Sequence, residues 1–280
     1  MNDMIKIFYL FGAIFLLILL SSYTLGKIYS INEGNVALIN INSEIGIYGS
    51  VLSQTLSSDS IIESLKEAEE NPNVYAVILS INSPGGSVVA SKEVAEYVLA
   101  MNKTVIAWIR DLSASGAYLI SSAADYIVSD ELSIIGNVGA KMSYLSFNGT
   151  LQKYGAEYNE ISSGSLKEIG SPYKDLTDQE YIIMSRLVND SFNYFLNFVI
   201  INRNLTTSAA NIVSDGGIFS GKQGLSLGLV DQLGSRNEII DYLESINITD
   251  IVIYEINQES EFDILSILNY KSSLAFPTYD

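Results

Sequence analysis

The sequence lacks two residue types on which much of enzyme chemistry depends: its 280 residues include no cysteine and no histidine. Without cysteine there can be no disulfide, thiolate nucleophile, iron–sulfur cluster or zinc–thiolate site. Without histidine there can be no Ser-His-Asp triad, no Cys-His pair and no imidazole-ligated metal. A hydrolase of acyl bonds with this composition must therefore take its base from lysine, aspartate, glutamate or a terminal amine.

Positive charge and proline are also scarce. Fifteen Lys and Arg residues stand against 32 Asp and Glu, which gives a net charge of −17. No basic cluster offers the footprint that phosphates need, so the sequence predicts no nucleic-acid binding. Only four prolines occur, and no low-complexity run or internal repeat divides the chain. We expect one sizeable core, and neither a cofactor nor a metal ion.

The longest uncharged stretch lies near the N-terminus, at residues 7–26 between Lys6 and Lys27. Its length suits a bilayer core of about 30 Å at about 1.5 Å per helical residue. A cleaved signal peptide is the alternative, but the apolar stretch is long and no small-x-small site ends it. We therefore predict a short tail (1–6), an uncleaved transmembrane signal-anchor (7–26), a globular domain (33–256) and a C-terminal extension (257–280). The short tail favours export, which predicts a single-pass protein of the cell membrane with an extracytoplasmic domain.

Strand and helix patterns alternate through the globular domain. Apolar, β-branched runs predict strands at residues 35–42, 74–81, 104–109, 126–128, 134–138 and 251–256. Helical periodicity predicts helices at 57–70, 88–101, from the turn after 109 to about 124, 177–202 and 231–246. The helix at 177 begins with a capping-box pattern, Thr177 to Glu180. This alternation predicts an α/β fold with a largely parallel sheet.

Two turns follow buried strands and precede helices, where open α/β sheets place their sites. In the first, Gly85 and Gly86 follow Pro84; this is a good turn, but adjacent glycines also let a carbonyl approach the N–H groups of an oxyanion hole. In the second, Ser115 precedes Gly116. Ser115 is either an N-cap or a nucleophile on a strand–turn–helix elbow, with the Gly116 N–H as a second donor.

Besides these two turns, a third segment of interest contains Lys167 within a Ser- and Gly-rich stretch. Most lysines are solvated surface residues. In a chain without histidine, however, a lysine is the best available base for a serine nucleophile. Taken together, the three segments favour a Ser-Lys site over three unrelated surface features.

Four strings closely resemble the signal peptide peptidase A family, in its order and at similar spacing. They are INSPGGSV (81–88), SASGAYLISSAAD (113–125), SGSLKEIGSPYKDLTDQE (163–180) and FSGKQGLSLGLVDQLG (219–234). The resemblance spans roughly residues 33–245. It implies a ClpP/crotonase-like spiral of ββα units, with Ser115 as nucleophile, Lys167 as general base and Gly85 or Gly86 as oxyanion donor.

The chain departs from the family pattern at two places. The family commonly has Ser-Gly-Gly at the nucleophile, whereas this chain has Ser115-Gly116-Ala117. Where the family often has a serine near the lysine, this chain has Asn137, whose carbonyl oxygen can accept a hydrogen bond from an amine. Asn137 is therefore predicted to support the base.

The resemblance also implies substrates and partners. It predicts a membrane-anchored serine endopeptidase that degrades signal-peptide remnants and other apolar peptides, as a homo-oligomer in which neighbouring protomers share each Ser-Lys dyad. Two alternatives are a catalytically silent oligomeric scaffold of the same fold and a crotonase-type acyl-CoA enzyme. The acidic composition argues against the second, because coenzyme A phosphates need a basic patch.

Overall fold

The computed structural model describes residues 34–49 and 55–256, together with Gly12 and residues 15–17. Of the predicted signal-anchor at 7–26, only those four residues are described, and they are helical. The rest of the anchor, the tail at 1–6 and the extension at 257–280 lie outside the described residues. In the part of the chain that is described, no helix is long and apolar enough to cross a membrane.

The described residues form one sheet of eight strands and a second sheet of two. The strands are β1 (Val36–Ile41), β2 (Glu44–Gly46), β3 (Thr55–Ser57), β4 (Ala76–Ser83), β5 (Thr104–Ala114), β6 (Tyr126–Ser129), β7 (Ile134–Gly136), β8 (Ile218–Ser220), β9 (Gln232–Leu233) and β10 (Ile253–Glu255). The main sheet runs β10-β1-β4-β5-β6-β9, and β7 pairs with both β5 and β8. All of these pairs are parallel except β7 with β8. The α/β class and the parallel core are therefore confirmed.

Eight helices within residues 34–256 accompany the strands. They are α1 (Ser58–Glu70), α2 (Val88–Ala100), α3 (Gly116–Ser121), α4 (Asn148–Lys153), α5 (Asp178–Asn202), α6 (Thr207–Val213), α7 (Gly221–Leu227) and α8 (Arg236–Ser245). Ile61 and Leu65 of α1, with Val94 of α2, join the larger apolar cluster on one face of the sheet. Ile239 and Leu243 of α8 join a smaller cluster with side chains of β1, β4 and β5. Apolar side chains cover the central strands on both faces, which explains their nearly continuous apolar sequences.

Two predicted elements are wrong in extent. The strand predicted to end at Ile109 continues to Ala114, because Leu112–Ala114 pairs with β7. The helix predicted from Asp231 begins at Arg236, because Gln232–Leu233 pairs with β6. The Asp231 carboxylate also accepts the N–H of Ile127 across 2.8 Å, which holds this segment against the sheet.

Candidate active site

Three strand ends meet at the carboxyl edge of the sheet. Ser83, near the end of β4, pairs with Ser113 of β5, and Ala114 pairs with Gly136 at the end of β7. The register between β4 and β5 shifts between Ile81 and Ser83, but the strands stay parallel, so the turns that follow the three strands lie side by side. The predicted glycine turn, the predicted nucleophile and Asn137 all belong to these turns.

Ser115 occupies a strained turn between β5 and α3. Its φ is 53° and its ψ is −127°, a conformation that residues with a side chain rarely adopt. Such a conformation costs about 1–3 kcal/mol and persists only where surrounding contacts impose it. One of these contacts is the Ser115 N–H, which donates to the carbonyl oxygen of Gly136 across 2.9 Å. The side chain is partly exposed, and α3 begins at the next residue, Gly116. The predicted strand–turn–helix arrangement is present.

Ile45 of β2 fixes the orientation of the glycine turn. Its N–H donates to the Gly85 carbonyl across 2.9 Å, and its carbonyl accepts the N–H of Ser87 across 2.8 Å. In a trans peptide the carbonyl and the following N–H point in opposite directions. The Gly86 N–H therefore faces away from Ile45, on the side where the Ser115 turn lies. A Cβ on Gly86 would overlap the Ile45 carbonyl, so this approach requires glycine.

The N–H groups of Gly86 and Gly116 are both available beside Ser115. Neither donates a hydrogen bond to another residue in the described part of the chain. A Cβ placed on Gly116 would lie 3.3 Å from the Gly86 nitrogen, so the two glycines are close neighbours. Two neighbouring N–H groups that are left without an acceptor beside a serine can stabilise an oxyanion.

Gly85 has a different part in this arrangement. Its φ is 94°, and its own N–H donates to the Ser83 hydroxyl across 3.1 Å. A Cβ there would lie 2.5 Å from the Gly116 nitrogen and 3.0 Å from the Ser115 Cβ. Gly85 therefore allows the two turns to approach each other, and Gly86 is the better placed of the two predicted donors.

Ser113, the neighbouring serine, is a core residue. It is fully buried, and its hydroxyl is 2.8 Å from the hydroxyl of Ser121. Ser121 in turn donates to the Ala117 carbonyl across 3.1 Å. Of the two serines of this motif, Ser115 is thus the one whose side chain reaches the edge of the sheet.

Lys167 lies in an exposed turn of the long segment between β7 and α5. Its N–H donates to the Gly164 carbonyl across 3.0 Å, and its side chain is exposed. Within the described residues, its amine forms no hydrogen bond or ion pair. Within one chain, the structure shows no hydrogen bond between Lys167 and Ser115. The catalytic roles of both residues therefore stay predictions.

The segment that carries Lys167 is anchored at its C-terminal end. The Lys174 amine donates to the buried Glu180 carboxylate across 3.0 Å. The Thr177 N–H donates to the Glu180 carboxylate, and the Glu180 N–H donates to the Thr177 hydroxyl, which together form the predicted capping box. The Thr177 N–H, followed by Lys174, holds the pKa of Glu180 below its ordinary value. The start of α5 thus fixes one end of an otherwise exposed segment.

Asn137 directly follows the carbonyl that holds Ser115. Its side-chain amide donates to the Gly216 carbonyl across 2.9 Å, and its backbone N–H donates to Gly217 across 2.8 Å. Its side chain is exposed, and its Oδ1 accepts no hydrogen bond from a described residue. That oxygen is free to accept a hydrogen bond from an amine, and the support of the base by Asn137 stays a prediction.

Three residues that position the site were not predicted from the sequence. Ile45 belongs to a three-residue strand with no alternating pattern to reveal it. Gly136 acts through its backbone carbonyl, a role that a sequence pattern of side chains does not reveal. Ser91 of α2 packs against Gly116. The only feature of the sequence that points to Ser91 is its position four residues after Ser87, the N-cap of that helix.

Comparison with known proteins places the chain in a family of peptidases. The model of peptidase family S49 matches residues 98–247, more than half of the chain. The Clp protease model matches residues 36–128. A putative protease, MJ0651 of Methanocaldococcus jannaschii, is 32% identical over 249 residues, which is 88% of this chain and 78% of that protein. The putative signal peptide peptidase SppA of Enterococcus faecium is 31% identical over 203 residues, 71% of this chain and 59% of that one.

A solved structure supports the fold independently. The chain of a mutant of the 1510-N membrane-bound stomatin-specific protease superposes with a TM-score of 0.51. The match covers 81% of this chain and 99% of that one at 14% identity, so it shows the fold alone. From the family model and the relatives, the chain belongs to peptidase family S49, the serine-type family of signal peptide peptidase A. The resemblance found in the sequence is confirmed.

Proposed function

We propose that this protein is a membrane-anchored serine endopeptidase in which Ser115 is the nucleophile and Lys167 the general base. One observation carries the proposal. The N–H groups of Gly86 and Gly116 lie beside the strained Ser115 turn, and neither has an acceptor among the described residues. A hydrolase of acyl bonds needs this pairing of a presented hydroxyl with preorganised donors. Lysine as base agrees with the absence of histidine from the chain.

The reaction follows from these groups. The neutral Lys167 amine takes the hydroxyl proton of Ser115 as the oxygen attacks a peptide carbonyl. The carbonyl oxygen becomes an oxyanion, which the Gly86 and Gly116 N–H groups stabilise. The leaving amine takes the proton from the lysine, and an acyl-enzyme remains. Lys167 then activates a water molecule that releases the acid and regenerates Ser115.

We further propose that the dyad is shared between protomers of a homo-oligomer. The exposure of Lys167 in one chain supports this, as do the exposed apolar side chains of the segment between β7 and α5 that carries it. The large exposed apolar side chains between β7 and α5 include those of Met142, Tyr144, Leu145, Phe147, Tyr154, Tyr158, Ile161 and Tyr173. A groove of about 310 Å³ also opens between residues 141–144 and the first turns of α5. Several large exposed apolar side chains on one segment are typical of protein interfaces.

The substrates proposed are signal-peptide remnants and other apolar peptides near the membrane. The predicted anchor at 7–26 would hold the site close to the bilayer, with the domain at 33–256 on the extracytoplasmic side. A ClpP/crotonase-like spiral of ββα units, ending before the extension at 257–280, is the architecture that this proposal assumes.

The alternative is a catalytically silent scaffold of the same fold, which the unpaired Lys167 amine would suit. Digestion of casein and of a synthetic signal peptide separates the two. The parent protein should cleave both, and Ser115→Ala should cleave neither while keeping the parent's circular dichroism spectrum. An inactive parent, or a Ser115→Ala variant as active as the parent, would contradict the peptidase proposal.

A further inference from the structure

Ser91 differs from the other buried serines inside the described helices. Ser64 and Ser121 each donate to the carbonyl four residues before them, across 3.0 Å and 3.1 Å. Ser91 is fully buried, and its Oγ has no hydrogen-bond partner among the described residues. The carbonyl four residues before it, that of Ser87, accepts only the Ser91 backbone N–H, across 3.0 Å. A buried hydroxyl without a partner destabilises the fold, so its presence calls for an explanation.

The hydroxyl of Ser91 lies against the nucleophile turn. A Cβ on Gly116 would overlap the Ser91 Oγ and would lie 2.8 Å from the Ser91 Cβ. The same position is 3.3 Å from the Gly86 nitrogen. Ser91 therefore fills the space where a side chain of residue 116 would stand, between the two turns that supply the N–H groups.

We propose that Ser91 is a positioning residue that holds the strained Ser115 turn and sets the spacing of the Gly86 and Gly116 N–H groups. The inference rests on the proposed peptidase function and deepens it. Ser91 is on α2, which follows the glycine turn directly, so its contact with Gly116 links both donors through one rigid element. Strained conformations persist only where several contacts impose them, and this contact is one of them.

Replacing Ser91 should therefore affect the stability of the fold and the activity of the enzyme differently. Replacing Ser91 with alanine removes an unpaired hydroxyl, so it costs little stability or increases it. It also opens space beside Gly116, into which a glycine backbone can relax. The two N–H groups then lose their preorganised spacing, which weakens stabilisation of the transition state while substrate binding is kept.

The first experiment compares Ser91→Ala with Ser64→Ala in the full chain. Both changes remove a buried helical hydroxyl, but Ser64 is paired and lies on α1, away from the turns. We expect Ser91→Ala to lower kcat by about 10- to 100-fold with KM unchanged, the range for misplaced catalytic groups. The affinity for a peptide boronate, a transition-state analogue, should fall by the same factor. Ser64→Ala should keep the parent's kcat and lose some thermal stability.

A second experiment exchanges the two sides of the contact. Gly116→Ala alone should be severely impaired, because its Cβ overlaps Ser91. In the double variant Ser91→Gly with Gly116→Ala, the new methyl group takes the place of the hydroxymethyl group. We expect the double variant to be at least tenfold more active than Gly116→Ala alone, an energetic coupling typical of residues in contact.

The outcomes distinguish this proposal from the one on which it rests. An inactive parent would overturn both. An active parent with an equally active Ser91→Ala variant would overturn the role of Ser91 alone. The same conclusion would follow if Ser91→Ala lost activity only in proportion to a loss of thermal stability, or if the double variant regained nothing.

Discussion

The Ser115 N–H and the Gly136 carbonyl oxygen are joined by a 2.9 Å hydrogen bond. This bond attaches the nucleophile turn to the end of β7 and helps to keep Ser115 at a φ of 53°. Because Asn137 follows Gly136, its free Oδ1 stands one residue from that bond. We predict that a lysine amine bound to Asn137 would approach the end of β7, to which the Ser115 turn is attached.

Asn137→Ala should lower activity by about tenfold, roughly the effect of one lost hydrogen bond to a charged or reacting group. Asn204→Ala is a matched control, because Asn204 also has a positive φ, 48°, but lies in the exposed turn after α5. Both changes remove an asparagine from a left-handed conformation that it tolerates well, so both should lower the melting temperature slightly. Equal activities in the two variants would remove Asn137 from the site.

Gly86→Ala should abolish hydrolysis, because its Cβ overlaps the Ile45 carbonyl and forces the turn to move. The displaced Gly86 N–H could no longer meet the oxyanion, and one such donor is worth about 10²- to 10³-fold in kcat. Gly149→Ala is the control, since a Cβ at Gly149 meets no atom within 4 Å. Turnover of a peptide substrate by the folded variants is the measurement. Hydrolysis at the parent's rate by Gly86→Ala would exclude this N–H from the mechanism.

Stability should decline in acid partly through Glu180. The Thr177 N–H and Lys174 hold its pKa below the ordinary value, so Glu180 stabilises the fold above its unfolded pKa of about 4.3. That contribution is lost as pH falls through the lower, folded pKa. Melting temperatures of the parent and of Glu180→Gln should differ most near neutral pH and converge in strong acid. A constant difference across this range would contradict the ionised pairing.

The shared dyad can be tested by complementation. Ser115→Ala and Lys167→Ala proteins, each inactive, are mixed under conditions in which subunit exchange is verified. If neighbouring protomers supply the two residues, some sites regain both and activity returns. A mixture that stays inactive despite exchange would place the dyad within one chain. Mixing Ser115→Ala with a Ser115→Ala, Lys167→Ala double variant is the control, and it should stay inactive in either case.

The parts of the fold that follow from sequence are those with a strong local pattern. The buried strands β1, β4 and β5 and the helices α1, α2 and α5 were predicted within a few residues, except for the C-terminal end of β5. The short strands β2, β3, β8 and β9 were missed because two or three residues carry little periodicity, whereas β7 and β10 lie within longer apolar runs and were predicted. The short helices α4, α6 and α7 were also missed. Their capping residues alone do not separate one or two helical turns from a loop.

The residues of the site likewise fall into those that a local sequence pattern predicts and those that it does not. Ser115, Gly86 and Gly116 could be predicted because they follow buried strands, whose ends meet at one edge of a parallel sheet. The contacts that position them, from Ile45 and Ser91, depend on packing between elements distant in sequence and leave no local pattern. The place of Lys167 in a working site lies beyond what one chain determines, if a neighbouring protomer supplies it.

Covalent labelling shows whether Ser115 is a reactive nucleophile and whether Lys167 activates it. The parent, Ser113→Ala, Ser115→Ala and Lys167→Ala proteins are treated with a fluorophosphonate, and the modified residue is located by mass spectrometry. We expect a label on Ser115 in the parent and in Ser113→Ala, none in Ser115→Ala, and labelling slowed by orders of magnitude in Lys167→Ala. A parent that is not labelled, a label on another serine, or undiminished labelling of Lys167→Ala would contradict a Ser115–Lys167 peptidase.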